Sequence, residues 1–462
     1  MYKYLFLFYI NSKSKITEEI AYMEKLACGY EIKTLSGGVA TVKSYLSSDG
    51  GCDFYTVDIN GEEKVLKWYK NGALGKSGEV LYENLKNNVN LGTPSQDFLW
   101  PQYLTETDKG SFGCITDARS KDYCELTDIL LGRVLFKNNK AAVDSCIGLA
   151  SAFAALHSKG LCFSDVYEGN FYVNPSNGKV LVCESENVTP VGTDRCDCIK
   201  NRRYIAPEIV LGKKSSDVAT DLHTLAVMIF VVLCKGHPLE GRRYLVPCLS
   251  NELQTKLYGS EASFIMDSEN KENEAVSRIH GRTVAIWENL PDHVKEIFKK
   301  AFSSQVLNGA EERPAELDWI KALTRLRSEI VACPTCQQNG RSSDVFVKDA
   351  KSCKCDKCGN AAQIPFRLEL KDYSLPAVAD TRIYRAQVDA CGAAEGVRPF
   401  ARIAYNDPTR PTSLSIKNLA ESTWNAVTPS GKDKTVSPKE FIPLIDGIKF
   451  VIGETEIYIK AN

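Results

Sequence analysis

The chain has 462 residues, more than one ordinary domain, so two to four domains are expected. Its 57 Lys and Arg residues balance 58 Asp and Glu residues to a net charge of −1, which argues against a nucleic-acid-binding surface or a basic membrane-binding patch. The 17 cysteines are scattered, apart from one group at positions 333–358, and this favours a reducing, cytoplasmic setting with one metal site over a disulfide framework.

The first 25 residues are predicted to be an extension before the first domain. Their apolar run, Leu5 to Ile10, is too short to span a bilayer or to form a usual signal-peptide core, and no small-residue cleavage site follows it. We interpret the run as an edge strand or an unstructured extension. Met23 is a second plausible start.

Two hairpins are predicted between residues 30 and 70. The segment Tyr30–Tyr45 alternates on both sides of Gly37-Gly38, a pair that leaves room for a ligand beside backbone N–H groups, although such a pair often marks only a turn. The second hairpin turns at Asn60-Gly61. Its second strand places Lys67 among apolar neighbours, where a lone lysine would more often be a solvated edge residue.

A helix is predicted next, over residues 78–89, because its apolar residues recur at helical spacing. Glu79 and Glu83 both lie on this helix. Either could pair with Lys67, and Glu83 is preferred. Two further strands, at 98–106 and 111–120, complete a predicted sheet of five strands.

The part of the chain after residue 122 is predicted to be mainly helical as far as Ile330. An apolar helix over Lys140–Ser158 ends before Gly160, and a long hydrophobic helix follows Asp221. The apolar core of that second helix is about half the length of a membrane span, so a buried core helix is favoured.

Between these helices lies a stretch, residues 156–187, in which a helix end, a loop, a short strand, a turn and a second strand follow one another. It carries Asp165 and Asn170 five positions apart, and an acid, Glu184, at the end of the second strand. This order resembles the catalytic loop and metal site of a protein kinase, and the resemblance implies that these oxygen-bearing side chains converge on the phosphates of a nucleotide and its magnesium.

Taken together, these residues resemble a protein kinase catalytic domain over roughly residues 30–330. The resemblance rests on order and spacing, and its parts are the glycine turn, Lys67, the acidic helix, the Leu-His-Ser-Lys-Gly-Leu segment, Asp165 and Asn170, the later acid, Ala206-Pro207-Glu208, Asp221 and Arg313. More narrowly, the segments 64–69, 98–101, 183–187, 220–241 and 314–336 resemble a bacterial kinase-like branch with a CDNDN-type acid motif and a zinc-ribbon tail. Members of that branch are often associated with a von Willebrand A protein and a metal-dependent phosphatase.

The resemblance implies ATP and Mg²⁺ as cofactors and transfer of the γ-phosphate to Ser or Thr hydroxyls of a protein partner. It implies that Gly37 and Gly38 cover the phosphates, that Lys67 holds them, and that Glu83 fixes Lys67. The third glycine of such a loop is replaced here by Ala40.

The same resemblance assigns the reacting end of the site. Asp165 would accept the proton of the substrate hydroxyl, and Asn170 and Glu184 would hold Mg²⁺. Glu184 stands where the family has Asp, and its extra methylene displaces the carboxylate by about 1.5 Å unless the backbone compensates, whereas magnesium demands close ligand placement. Tyr167 stands where Ser/Thr kinases usually have Lys. Glu186 is either a second acid of the site or a surface charge, and the surface interpretation is preferred.

Three further residues would be architectural. Glu208 and Arg313 would form a buried pair, and Asp221 would brace the catalytic loop. The usual His-Arg before the catalytic Asp is Phe163-Ser164 here, so the common activation by a loop phosphate that pairs with that Arg is excluded.

Two other functions stay open beside the kinase. The first is a pseudokinase scaffold that docks partners, with or without nucleotide. The second is a kinase-fold enzyme that uses ATP differently, for example by transferring AMP to protein.

Four cysteines in two CxxC pairs separated by eighteen residues predict a closed structural zinc site, and they are Cys333, Cys336, Cys355 and Cys358. The alternative is two redox or incidental pairs. Cys353 could compete with Cys355 as a ligand, but CxxC geometry favours Cys355.

After Pro365 the chain reads as short alternating strands separated by turn residues, a β-sandwich pattern. Its end resembles the second half of a forkhead-associated domain, but the arginine and Ser-x-x-His elements that grip phosphothreonine are not recognisable. An interaction domain is predicted, with a purely stabilising domain as the alternative.

The predicted fold class is therefore α+β: a bilobal protein-kinase-like fold followed by a zinc ribbon and a C-terminal β-sandwich. The predicted domains are an extension (1–25), an N-lobe (26–122), a C-lobe (123–330), a ribbon (331–364) and a sandwich (365–462). The predicted partners are ATP and a protein substrate or docking partner, with no nucleic acid and no membrane.

Overall fold

The computed structural model describes residues 25–49, 51–70, 77–163, 166–183, 185–193, 201–339, 343–347, 349–355, 357–407, 409–410 and 413–462. Two predicted site residues, Asp165 and Glu184, and nearly all of the predicted extension therefore lie outside the described residues. The protein is a mixed α/β chain with several sheets. It divides into two compact units, one formed by residues 1–121 and 182–189, the other by residues 122–181 and 190–462.

In the residues of the first unit that the structure describes, one antiparallel sheet with strands of unequal length packs with one helix. Its elements are β1 (Glu31–Lys33), β2 (Val39–Asp49), β3 (Cys52–Ile59), β4 (Glu62–Tyr69), α1 (Ser77–Leu91), β5 (Tyr103–Leu104) and β6 (Phe112–Asp117). The strand order is β1-β2-β3-β4-β6-β5, which is six strands where the sequence predicted five. A short 3₁₀ turn, Ser185–Asn187, belongs to the same unit.

The sheet of the first unit follows from local turn chemistry and alternation. Asn60 (φ 55°) and Gly61 (φ 81°) both adopt positive φ, as the predicted Asn-Gly hairpin turn requires. Alternate residues of β2, β3 and β4 face a common core, with Val42, Tyr55 and Leu66 almost completely buried. A second core cluster, which includes Leu85 of α1, packs the helix on the sheet.

The two edges of this sheet are joined by hydrogen bonds. The Leu35 N–H donates to the Leu104 carbonyl (2.8 Å), and the Glu106 N–H donates to the Lys33 carbonyl (2.8 Å). The end of β1 therefore runs beside the end of β5.

The helical part of the second unit comes first in that unit. Its helices are α2 (Leu126–Leu130), α3 (Asn139–Ser158), α4 (Pro207–Val210), α5 (Val218–Cys234), α6 (Asn251–Thr255), α7 (Ser277–Asn289), α8 (Asp292–Ala301), α9 (Ser304–Leu307) and α10 (Glu316–Ser328). Short strands lie at β7 (Cys124–Glu125), β8 (Leu161–Phe163), β9 (Phe171–Val173), β10 (Val180–Val182) and β11 (Val188–Pro190), with a 3₁₀ turn at Glu168–Asn170. Val182 of β10 and Val188 and Thr189 of β11 belong to the first unit.

Helices α3 and α5 begin at side-chain caps. Asn138 accepts a hydrogen bond from the Ala141 N–H at the start of α3 (2.9 Å), and Asp217 accepts one from the Thr220 N–H at the start of α5 (2.9 Å). Asp221, predicted to precede the second helix, therefore lies inside its first turn, because Asp217 supplies the cap. Nearly all residues of α5 are buried, as the prediction of a core helix requires.

Among the described residues, one helix, α3, is long and apolar enough to cross a membrane by length and composition alone. Of the stretch that passes this test, 56% is buried inside the protein. Core helices pass the same test, so α3 is weak evidence for a membrane span.

The C-terminal part of the second unit is built from strands. Two hairpins come first, β12 (Ile330–Ala332) with β13 (Asp344–Phe346) and β14 (Ser352–Lys354) with β15 (Ala361–Gln363), and a short helix α11 (Pro334–Gln338) lies between β12 and β13. The later elements are β16 (Phe366–Glu369), β17 (Ser374–Pro376), β18 (Arg382–Tyr384), α12 (Arg385–Val388), α13 (Ala393–Gly396), β19 (Pro399–Tyr405), β20 (Leu414–Asn418), β21 (Trp424–Val427), β22 (Asp433–Val436), β23 (Phe441–Pro443), β24 (Lys449–Ile452) and β25 (Thr455–Ala461).

These later strands form two sheets around one core. One sheet has the order β17-β16-β25-β24-β21-β22 and the other β18-β19-β20-β23. Leu368, Trp424 and Phe450 of the first sheet and Ile403 and Ile416 of the second belong to a single cluster of buried residues. Alternate residues of each strand thus supply a shared interior, which is the arrangement that the alternating pattern predicted.

A buried ionic network fixes the C-terminal strands to the helices of the same unit. Arg327 of α10, whose side chain is 3% exposed, donates to Asp144 of α3 (2.9 Å) and to Asp380 (3.1 Å). Asp380 also pairs with Lys140 of α3 (3.2 Å) and with Arg402 of β19 (3.0 Å). This charged cluster therefore joins helix α3, helix α10 and the C-terminal strand region of the second unit.

Candidate active site and metal centre

Lys67 lies on β4 with its ammonium group in an ion pair with Glu186. The side chains are 19% and 14% exposed, so both charges are largely withdrawn from water. The Tyr69 hydroxyl, two residues along the same face of β4, donates to the same carboxylate (3.2 Å). Burial by itself would raise the pKa of Glu186, but the charge and hydrogen bond of Lys67 lower it below its ordinary value. The neighbouring ammonium group therefore favours the carboxylate form of Glu186.

This pairing differs from two predictions. Glu83 was expected to fix Lys67, but its side chain is 63% exposed and lies 3.6 Å from Lys86. Glu186 was preferred as a surface charge, but it is the residue that meets Lys67. The physical reason is the rotation of α1, which turns Asn84 and Leu85 inward and leaves Glu79 and Glu83 in solvent.

The buried face of α1 carries amides in place of acids. The Asn84 side-chain amide donates to the Val188 carbonyl (2.8 Å) and to the Glu186 carbonyl (3.3 Å), and Asn88 donates to the Ser185 carbonyl (2.9 Å). Asn84 and Asn88 are 7% and 0% exposed. The helix therefore holds the backbone that bears Glu186. The signal was present in the sequence, since an Asn pair at i and i+4 lies among apolar helix positions.

The turn at Gly37-Gly38 lies at the other end of the sheet from Lys67. Ala40 is in register with Ile59, and Ile59 with Glu62, whereas Lys67 is in register with Phe54. Glu62 and Lys67 are five residues apart on β4, about 17 Å at roughly 3.3 Å per residue. The assignment of these two glycines to phosphate binding beside Lys67 is thus corrected.

The Gly37-Gly38 turn has a local structural role. Gly37 has φ 85°, and the Gly38 N–H donates to the Thr34 hydroxyl (3.0 Å), which closes a tight turn from β1 into β2.

The hairpin turn at the Lys67 end of the sheet joins β2 to β3. Asp49 is in register with Cys52, and Cys52 with Tyr69, while Gly51 in the turn has φ 102°. The sequence prediction missed this turn because it ended the first hairpin at Tyr45. Strand β2 in fact continues to Asp49, directly before a second glycine pair.

In the second unit, Asn170 lies at the end of the 3₁₀ turn Glu168–Asn170 and is 1% exposed. Its side-chain oxygen accepts a hydrogen bond from the Tyr167 N–H (2.8 Å), and its own N–H donates to the Tyr167 carbonyl (3.1 Å). The Tyr167 ring covers Gly169 so closely that a Cβ there would lie 2.3 Å from the ring. The residue type at 169 is therefore restricted by the ring of Tyr167.

The segment just before residue 164 is anchored by Asp221. The Phe163 N–H donates to the Asp221 carboxylate (2.8 Å), and His157 Nε2 lies 3.1 Å from the same oxygen. His157 Nδ1 meets Glu316. Burial alone would lower the pKa of His157, but hydrogen bonds to the two carboxylates raise it to about 9. The imidazolium thus bridges two acids, and Asp221 braces the chain as predicted.

Glu208 and Arg313 form the predicted ion pair. Two guanidinium nitrogens donate to the two carboxylate oxygens at 2.7 and 2.8 Å, and the side chains are 22% and 7% exposed. Arg313 also donates to the Ala219 carbonyl (2.8 Å), so the pair ties α4 to α5.

The four predicted zinc ligands come together. The sulfurs of Cys333, Cys336, Cys355 and Cys358 all lie within 4.8 Å of one another, and three of the four residues are buried. The distances Cys333–Cys358 and Cys336–Cys355 are 3.7 and 3.8 Å. Four Zn–S bonds of about 2.3 Å in a tetrahedron place the sulfurs about 3.8 Å apart, so this cluster could hold a structural zinc ion.

Two further contacts support the thiol cluster. The Cys336 N–H points at the Cys333 sulfur (3.5 Å), and the Ser343 hydroxyl lies 3.2 Å from the Cys355 sulfur. Such hydrogen bonds orient metal-bound thiolates. Cys353, the competing candidate, lies on β14 and packs in the small apolar core of this region, outside the four-thiol group.

Comparison of the sequence with protein-family models and with curated proteins finds no match.

Proposed function

We propose that this chain is a protein-kinase-like phosphotransferase that transfers the γ-phosphate of ATP to Ser or Thr hydroxyls of a protein partner. Residues 26–330 would form the kinase-like fold, followed by a zinc ribbon and a forkhead-associated-like β-sandwich. The proposal rests on the resemblance in order and spacing, together with one observation in the first unit. A largely buried Lys67–Glu186 ion pair joins strand β4 to the segment that directly follows Glu184.

The roles of the residues follow from their chemistry. Lys67 would hold the phosphates, and the turn between β2 and β3, at the same end of the sheet as Lys67, would cover them in place of Gly37-Gly38. Asp165 would take the proton of the attacking hydroxyl, while Asn170 and Glu184 would hold Mg²⁺. The metal, when bound, would neutralise charge on the transferring phosphoryl group.

The decisive experiment compares ATP labelled at the γ position with ATP labelled at the α position, in the presence of Mg²⁺ and a protein or peptide acceptor. Label transferred from the γ position, and lost in an Asp165→Asn variant, is the expected result. Transfer from the α position would establish AMP transfer instead.

A docking scaffold is the second candidate, and one observation favours it. The buried Arg327 network fixes the C-terminal sheets on the helices, so a partner bound there would be held in a set orientation. An ATP-dependent rise in melting temperature without any label transfer would support this candidate. A partner of the von Willebrand A or phosphatase type is part of the proposal in either case.

A further inference from the structure

The carboxylate that meets Lys67 comes from the segment Ser185–Val188, which we call the acid loop. Lys67 and Tyr69 lie two residues apart on β4, so their side chains point to the same face, and both meet the same oxygen of Glu186. The Glu186 carboxylate is thereby held by two donors of the strand, the Lys67 ammonium group and the Tyr69 hydroxyl. Glu83, the acid that the sequence offered for this task, is in solvent.

Helix α1 contributes hydrogen-bond donors in place of a carboxylate. Asn84 and Asn88 donate to backbone carbonyls of the acid loop, with Asn84 reaching Val188 at 2.8 Å and Asn88 reaching Ser185 at 2.9 Å. The Trp100 indole N–H in turn donates to the backbone carbonyl of Asn88 (2.7 Å) and fixes the position of this part of the helix. A buried amide that lost its acceptor would carry a full desolvation cost, so these bonds hold the acid loop against the helix.

We propose that Glu186, held by Asn84 and Asn88, is the positioning residue for Lys67 in the phosphate site. The inference rests on the proposed function. The prediction had the helix supply the carboxylate for Lys67. Here the acid loop supplies that carboxylate, and the helix supplies the side-chain amide donors that hold the loop in place. Because Glu186 stands two residues after Glu184, the same hydrogen bonds would set the backbone that bears the proposed magnesium ligand.

The test measures KM for ATP, kcat and the dissociation constant of MgATP for the full chain and five variants. Glu186→Gln keeps shape and removes the charge, Glu186→Asp keeps the charge, and Glu83→Gln makes the same change at the rival position. Lys67→Met alone and with Glu186→Gln completes a double-mutant cycle. Melting temperature is measured throughout, to separate a loss of binding from a loss of folding.

We expect Glu186→Gln to weaken MgATP binding by roughly tenfold or more, the scale of one lost hydrogen bond between charged groups. Glu186→Asp should restore part of the affinity, and Glu83→Gln should stay within about twofold of the parent. In the Lys67→Met background, Glu186→Gln should have little further effect, because the group it positions is gone.

Three results would overturn the positioning role alone: an equal effect of Glu83→Gln, tighter MgATP binding in Glu186→Gln, or additive effects of the Lys67 and Glu186 substitutions. Tighter binding would mean that Glu186 competes with phosphate for Lys67. A parent protein that binds no MgATP would instead refute the proposed function, so the two failures are distinguishable.

Discussion

Replacing Arg327 by methionine should destabilise the second unit by about 3 kcal/mol. The guanidinium is 3% exposed and pairs with Asp144 and Asp380, and removing one partner of a buried ion pair typically costs roughly 3–5 kcal/mol. The lower end applies because Asp380 keeps Lys140 and Arg402, and because the Asp144 side chain is 23% exposed. The remaining cost is an acid on α3 that has lost its closest cation.

The pH dependence of this loss follows from Asp144. Burial raises the pKa of this carboxyl even with Arg327 beside it, so without Arg327 the folded-state pKa should rise further. An acid whose pKa is raised by folding destabilises the protein as pH rises above its unfolded value, and protonation relieves the penalty at low pH. The effect of Arg327→Met should therefore be smaller at pH 5 than at pH 8.

The assay is thermal and urea unfolding followed by tryptophan fluorescence, because Trp319, on the same helix α10 as Arg327, is fully buried. A loss of about 3 kcal/mol corresponds to a fall in Tm of roughly 4 °C for a unit of this size. Arg133→Met is the matched control, since that arginine is 60% exposed and its pair with Asp128 should contribute about 0–1 kcal/mol. Equal effects of the two substitutions, or a loss independent of pH, would refute the reasoning.

Two further predictions concern the thiol cluster and His157. The purified chain should contain about one zinc ion, measured by atomic emission. Cys336→Ser should lose the zinc and lower the Tm, whereas Cys353→Ser should keep it, because only Cys336 belongs to the four-thiol group. Equal zinc content in the two variants would contradict the assignment. The His157 pKa of about 9 exceeds its ordinary value of 6.5, so its stabilisation should be full below about pH 6.5 and should be lost as pH rises through 9. Unfolding curves from pH 6 to 10 should show this loss in the parent and a flatter profile in His157→Gln, and parallel profiles would count against the imidazolium bridge.

Features that rest on local chemistry were predictable from sequence. The Asn60-Gly61 turn, the apolar helices α3 and α5 and the two CxxC pairs each follow from residue types within a few positions of one another. Their structural counterparts are the positive φ angles of the turn, a helix α3 within one residue of its predicted bounds, a buried α5 that begins a few residues before the predicted start, and the group of four sulfurs.

Features that depend on rotation and register were not predictable in the same way. Lys67 and Glu186 are 119 residues apart, and nothing local decides which acid of the chain meets the lysine. Two glycine pairs could lie beside Lys67, Gly37-Gly38 and the pair after Asp49. Which of them does so depends on the length of β2, because a strand that extends to Asp49 places the turn near Lys67 a whole strand length away from Gly37-Gly38. The buried Asn84–Asn88 pair of α1 was not predicted, because the expected partner of Lys67 was an acid of this helix and the two residues are amides.

The joining of β1 to β5 in the first unit has a consequence for how this protein behaves at high concentration. The edges of an open sheet expose rows of unpaired N–H and C=O groups that can recruit a strand from another molecule. Here Lys33 and Leu35 on one edge already bond to Glu106 and Leu104 on the other. Strand-by-strand aggregation through this sheet would first have to break those bonds. A substitution that opens the Thr34–Gly38 turn should therefore cause precipitation before it reduces the proposed phosphotransferase activity.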